Sequence, residues 1–447
     1  MPTITVGGLA SGLDTSSIIA ALVAVKRAPI HLLENQKNEL NSKLSAFETF
    51  SSLLSSLETT VNSLNSIDNF RVKEGTSSDE SVVTVTATGS ANTGSHSILV
   101  TDLAMAETYV ETGWPDTDTT AIASSPGLFS FTVGSGSQID IDVDATTTLE
   151  DFRDAINNAA AGVTASIVND GSGTDPYRLV LRSDTTGTDG NITFVQDDTD
   201  LKWTNTQLDQ DANITIDGID IISSSNTITS VIENVTIELV GAGSTTFTIS
   251  NDTDTVTANI NKFVDSYNAV KSFIDKHSTY EPETGKKEAL FGDSTLSLIE
   301  RRLREVMSAA ITGLSGTYTA LSQIGIRTSS DGVLTVDSDE LSTALDTDFI
   351  SVSRIFIEDL DNGTDGVLEQ LSDYLDFVTN PVEGLIDIRE EGIRDTIDDI
   401  QDLIDDKEDR LVRYEERLMQ KYAGLERLIS QSQTTGDYLT AIFFNQL

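Results

Sequence analysis

The sequence predicts a multi-domain α+β chain, with terminal helices forming an α-helical coiled-coil leg, a helical bundle domain, and two β-rich head domains inserted between them. Three observations predict it. The last stretch carries an apolar seat about every 3.5 residues, the first stretch carries a matching apolar stripe, and the middle replaces both with period-two alternation broken by Gly turns. At 447 residues the chain is long enough for three or more domains.

The chain opens with Gly7, Gly8 and Gly12, and Asp14 or Thr15 then caps a short helix through Ile18, Ile19, Leu22 and Val25. Pro29 is expected to break or kink it, because proline has no amide proton and its ring meets the carbonyl four residues back. A second, longer helix follows, with Leu33, Leu40, Leu44, Phe47, Phe50, Leu54, Leu57, Val61 and Leu64 on one face.

From about Thr76 to Ser250 the pattern is that of half-buried strands, as in Ser81 to Ala87, Ser97 to Thr101, Phe129 to Val133 and Gln138 to Val143. Asp170-Gly171, Asp217-Gly218 and Gly241 to Ser244 read as turns, and Thr147 to Ala160 as a lone helix. The only Lys and Arg of this region are Arg153, Arg178, Arg182 and Lys202, so the head is strongly acidic. The polar stretches Trp114 to Ser125 and Asp197 to Ala212 look like joints, which makes 114–209 an outer head domain inserted into an inner one of 76–113 with 210–251.

Helical periodicity returns with Val256, Ile260, Phe263, Tyr267, Val270 and Ile274, then with Leu296, Ile299, Leu303, Val306 and Ala310. Ile324 to Val336 reads as a hairpin turning at Asp331-Gly332, followed by short helices at Leu341 to Leu345 and Val367 to Val378 and a stop at Pro381. The helical domain is therefore 39–75 with 252–404, its core drawn from Leu44, Phe47, Leu54, Leu57 and Val61 against Ile260, Phe263, Tyr267, Val270 and Ile274. The leg is 1–38 with 405–447. Its seam runs through Ile393, Ile397, Ile400, Ile404, Lys407, Leu411, Tyr414, Leu418, Lys421, Leu425, Leu428, Ser432, Thr435, Leu439 and Ile442. Polar seats beyond Leu428 and the helix-weakening Gly436 predict final turns that are ordered only in an assembly.

Composition narrows function. With 72 Asp and Glu against 28 Lys and Arg, a net charge of −44 repels nucleic acid and anionic lipid. There is no Cys, hence no disulfide and no thiolate. Residues 1–25 lack the basic start and apolar core of a cleavable signal, and no uninterrupted run of about twenty apolar residues is present, so no membrane insertion is expected. His31, His96 and His277 share no ligand spacing, which leaves each as a solvated or capping side chain. Asp140, Asp142, Asp144 and Asp151 resemble a calcium loop, but Ala145 sits where that loop needs Gly, and alternation with Ile139, Ile141 and Val143 explains them as the wet face of a strand. Gly134 and Gly136 lack the third glycine of a dinucleotide loop, and Trp114 and Trp203 are expected to pack a domain corner. No catalytic, cofactor-binding or metal residues are expected, and no cofactor.

Specific stretches carry a resemblance. Gly7-Gly-Leu-Ala-Ser-Gly-Leu-Asp-Thr-Ser-Ser-Ile-Ile-Ala-Ala-Leu-Val23, Phe263-Val-Asp-Ser-Tyr-Asn268, and Gly332-Val-Leu334 with Asp337, Leu341, Ala344 and Leu345 together resemble the flagellar filament-capping (FliD, hook-associated protein two) family. Thr147 to Asn157, Gly162 to Ile167 and Tyr177 to Leu181 are similar to a module found in the heads of flagellar axial proteins. The resemblance implies a non-enzymatic cap, exported without a cleavable signal to the extracellular tip of the bacterial flagellum. There a homo-oligomeric ring, its heads forming a plate above the legs, holds exported flagellin while it folds and polymerises. It also implies hook-filament junction proteins and an export chaperone as partners, the chaperone on the apolar positions from Leu425 to Phe444. Leg and oligomer contacts would use Ile18, Ile19, Leu22, Val25, Leu411, Tyr414, Leu418, Leu425, Leu428, Leu439 and Ile442. A surface adhesin whose head binds host glycans, and another axial protein such as a flagellin or junction protein, remain the alternatives.

Overall fold

The computed structural model describes residues 11–444 and their side chains as far as residue 441. Contacts divide the chain into two units, 1–65 with 260–447 and 66–259. The chain enters on α1 (Thr15–Leu64), capped by Asp14, whose carboxylate accepts from the Ser17 amide at 3.0 Å.

The second unit starts with α2 (Ile67–Phe70) and holds two β layers systems, each around its own core. Its strands are β1 (Lys73–Ser77), β2 (Val83–Ala87), β3 (Gly94–Asp102), β4 (Thr108–Glu111), β5 (Gly127–Val133) and β6 (Ile139–Val143), then α3 (Leu149–Ala159). There follow β7 (Val163–Asn169), β8 (Tyr177–Ser183), β9 (Ile192–Asp197), β10 (Trp203–Gln207), β11 (Ala212–Ile216), β12 (Ile219–Ser223), β13 (Thr227–Ile228), β14 (Val235–Leu239) and β15 (Gly243–Asn251). The inner pair of sheets, ordered β1-β15-β3-β11-β12 and β13-β14-β2, closes on Val83, Val85, Ile98, Val100, Ile214, Ile237 and Phe247. Alternate residues of each strand point inward, so period two becomes one buried face. Asp217 and Gly218 both take positive φ, the mirror-image turn that suits strand twist, and link β11 to β12.

The outer pair, β10-β4-β8-β7 and β6-β5-β9, encloses Phe129, Phe131, Leu179 and Leu181 beneath α3. Leu149, Phe152 and Ile156 place α3 on that core, and Thr148 with Asp151 forms a reciprocal capping box at its start. Here the sequence reading needs correction. It set the strand before Glu111 in the inner sheet, yet β4 pairs with β8 and β10 of the outer one. A four-residue strand carries no mark of which sheet it joins. Packing decides, with Tyr109 against Phe194 at 4.7 Å between ring centroids.

The first unit resumes on α4 (Thr253–His277), β16 (Tyr280–Glu281), β17 (Lys286–Lys287) and α5 (Ser294–Ser308). It ends with β18 (Ile326–Thr328), β19 (Leu334–Val336), α6 (Ser338–Phe356), α7 (Val367–Thr379) and α8 (Leu385–Phe444). The expected break at Pro29 is absent, since α1 is one 50-residue helix with Pro29 on an exposed face. Proline there costs roughly 3 kcal/mol. Burial of the next residue, Ile30, against Ile404 and Leu411 offsets part of it. α8 also runs through Gly436. Thr434, Thr435 and Thr440 return their hydroxyls to the carbonyls four residues back, at 2.7–2.8 Å. An 18-residue window of α1 is, by length and composition alone, apolar enough to cross a bilayer, although Lys26 and Arg27 interrupt its apolar run.

Candidate oligomer and partner surfaces

α1 and α8 lie antiparallel. Ser11 hydrogen bonds to Glu426, Lys37 to Gln401, and Arg394 reaches Glu48 at 3.3 Å, so the register advances along one helix as it retreats along the other. Ile393, Ile397, Ile404 and Leu411 are buried, with Ile400, Lys407, Tyr414 and Leu418 half-buried. The 3.5-residue spacing therefore produces a seam against α1, as knobs-into-holes packing requires.

Beyond Leu418 the seam leaves cover. Lys421, Leu425, Leu428 and Leu439 are exposed, Leu428 at 63%. On α1, Ile19 is buried and Ile18 half-buried, whereas Leu22 and Val25 face solvent, Val25 at 73%. Gly7 and Gly8, and the side chains of Ile442 and Phe444, lie outside the described residues. Of the positions anticipated for the helical-domain core, Phe47, Leu54, Leu57, Val61, Ile260, Phe263, Tyr267, Val270 and Ile274 are buried and Leu44 is half-buried. The Tyr267 hydroxyl donates to the Gly332 carbonyl at 3.2 Å, and burial pushes its pKa up to about 12.

Several residues that matter here gave no sequence signal. Asp293 caps α5 through the Thr295 amide at 2.9 Å and is fully enclosed, with Lys43 of α1 at 2.6 Å and Arg389 of α8 at 2.8 Å. Burial opposes its charge, but the bonds from Lys43 and Arg389 prevail and hold it below the ordinary carboxylate range. One carboxylate thus fastens three helices whose sequence separations hide the junction. In the head, Glu107 is buried and accepts from the Ile192 amide and the Asn205 side chain. Thr188 donates to Asp211 at 2.7 Å across the joint of the two head domains.

The side chains weighed for chemistry have structural occupations. His31 pairs with Glu34 at 2.8 Å, His96 with Asp217 at 2.7 Å, and His277 stacks on Phe273 at 4.2 Å. Asp144 turns the chain onto the Thr146 and Thr147 amides, and Asp151 belongs to the capping box. Trp114 and Trp203 both pack on the outer head core, Trp203 against Phe129 and Phe194. Among the described residues no cluster of His, Asp and Glu is arranged to hold a metal.

Comparison with known proteins agrees along the whole length. Residues 11–107 match the model of the Flagellar hook-associated protein 2 N-terminus, 209–434 that of its C-terminus, and 129–185 the Flagellin hook IN motif. Flagellar hook-associated protein 2 of Escherichia coli strain K12 is 32% identical, the match covering 100% of this chain and 99% of the relative. The A-type flagellar hook-associated protein 2 of Pseudomonas aeruginosa is 29% identical over 98% of this chain and 97% of its own. The crystal structure of the D1-D2-D3 domains of the flagellar cap protein FliD from Escherichia coli superposes with a TM-score of 0.67 at 32% identity, covering 78% of this chain and 99% of that one. An antiparallel terminal coil, a helical domain and a doubled β head, matched end to end at this identity, place the chain in the flagellar hook-associated protein 2 (FliD) family.

Proposed function

We propose that this chain is a non-enzymatic cap at the distal, extracellular end of the bacterial flagellar filament. Copies join in a ring, the β head of 76–251 forms a plate, and the leg of 1–38 with 405–447 seats on the filament end. The plate keeps exported flagellin close while it folds and polymerises. The observation that carries this reading is the seam of α8, which is buried against α1 as far as Leu411 and then runs on through exposed Leu425, Leu428 and Leu439. A helix of 60 residues spans about 90 Å at 1.5 Å per residue, more than its own domain covers. The full-length similarity to hook-associated proteins supports it.

Hook-filament junction proteins are the neighbours at the start of assembly, and an export chaperone takes the apolar positions from Leu425 to the end before secretion. The acidity of the head favours neutral or basic partners over nucleic acid or anionic membrane. Deleting the gene tests the cap directly, with motility lost and unpolymerised flagellin shed into the medium. Normal filaments in that strain would overturn it. Electron microscopy of purified protein separates the other readings, since plates with legs mark a cap, long filaments an axial subunit, and monomers that bind host glycans an adhesin.

A further inference from the structure

The helical unit carries an unfilled groove and, at the opposite end of α7, an uncovered knob of complementary chemistry. The groove, of about 280 Å³, lies where α5, the end of α7 and the start of α8 meet, and it is lined by Leu298, Phe377 and Leu385 with Arg301, Arg302, Glu305 and Tyr374. Phe377 is 56% exposed, and Val382 in the adjoining turn 76%. Apolar surface of this kind with a charged rim marks a contact site. The Tyr374 hydroxyl is buried without a hydrogen-bond partner among the described residues, an arrangement that costs free energy until something bonds to it. Arg302 is tied to Glu305 at 3.1 Å, while Arg301 has no acidic partner among the described residues. Two adjacent arginines at an apolar groove, in a chain of net charge −44, call for an acidic and apolar occupant.

The knob is the loop between α6 and α7, Glu358-Asp-Leu-Asp361, which presents Leu360 at 66% exposure beside exposed Glu358. It is rigid. The Asp359 side chain is fully buried and accepts from the Ser315 amide at 2.9 Å, the Ser315 hydroxyl at 2.6 Å and the Arg354 guanidinium at 3.1 Å, and Asp361 also pairs with Arg354. A leucine fixed in water by so many bonds is preorganised to bind, since its ordering cost is met in the free chain. The eleven residues of α7 from Val367 to Phe377 separate knob from groove by roughly 15 Å. A contact between two different patches of one molecule repeats head to tail and closes a ring when its rotation allows.

We propose that Leu360 of one copy enters the groove of the next, with Glu358 against Arg301 and Arg302. The inference deepens the ring reading above by naming one contact within the ring. The absence of Cys makes the test clean: the Leu360→Cys, Phe377→Cys double variant of the full chain is oxidised and resolved by denaturing gel, beside each single variant. The expected result is a ladder of linked multimers beyond the dimer in the double variant alone. No ladder, or equal linking by either single variant, overturns the proposal. Independently, Leu360→Asp should weaken self-association by about tenfold or more in sedimentation. Arg302→Glu should do likewise and be rescued by Glu358→Arg. Unchanged self-association with loss of flagellin binding would assign the groove to flagellin and also overturn the proposal. Imaging of the unaltered protein reads ring formation separately, so a missing ladder with intact rings rejects this contact and leaves the cap standing.

Discussion

The two halves of α8 follow one spacing rule and reach opposite ends. From Ile393 to Leu411 its apolar seats are buried against α1, whereas Leu425, Leu428 and Leu439, placed by the same periodicity, face solvent. Periodicity thus tells which face of a helix is apolar, and only the presence of a neighbour turns that face into stability. The first half is a structural element of the chain itself. The second carries the same apolar face without a neighbour from this chain.

The contrast can be broken or sharpened by substitution. Phe47→Ala, in the fully buried core where α1 joins the helical domain, should cost about 3–5 kcal/mol, measured by urea unfolding of the purified chain. Asp293→Ala leaves the α5 cap empty and strands Lys43 and Arg389, for a loss of about 3 kcal/mol. Because the folded chain holds this carboxyl below the ordinary value of 3.8, its contribution is complete above pH 3.8 and drains away as pH falls below it. A difference between wild type and Asp293→Ala that persisted at full strength well into acid would contradict that linkage.

Leu411→Ala, the last buried seat, should cost about 2–3 kcal/mol and speed amide exchange in both helices around it. Pro29→Ala should act in reverse. Restoring the missing amide regains roughly 3 kcal/mol, less up to about 1 for a freer unfolded chain, so a net gain near 2 kcal/mol is expected. The smallest effect belongs to Leu428→Ala with Leu439→Ala, within about 0.5 kcal/mol for the isolated chain. If that pair destabilised the isolated chain as Leu411→Ala does, the distinction between the two halves of α8 would fail. Chaperone capture and complementation of motility should instead fall sharply.

Local patterns were legible wherever a long run repeats one period. The lone head helix, capped at Thr148, the hairpin at Asp217-Gly218 and the stripe from Ile260 to Ile274 all lie where spacing and turn chemistry place them. Pro29 misled because helix propensity is a weak local term. At Pro29 the packing of α1, in which Ile30 is buried against Ile404 and Leu411, carries the helix through. The strand before Glu111 misled because four residues cannot declare a sheet.

By itself, then, the sequence determined the order of helical and β-rich segments, the apolar face of each helix, and the acidity of the head, since all of these are read from composition and near neighbours in the chain. Tertiary structure alone decided that Asp293 joins α1, α5 and α8, that Glu107 ties β9 to β10 within the outer head, and that Leu298, Arg301 and Phe377 share a groove. The physical reason is range. Periodicity and capping act over three or four residues, whereas an ion pair or a pocket forms between residues many tens or hundreds apart in sequence, and no local pattern records which of them will meet.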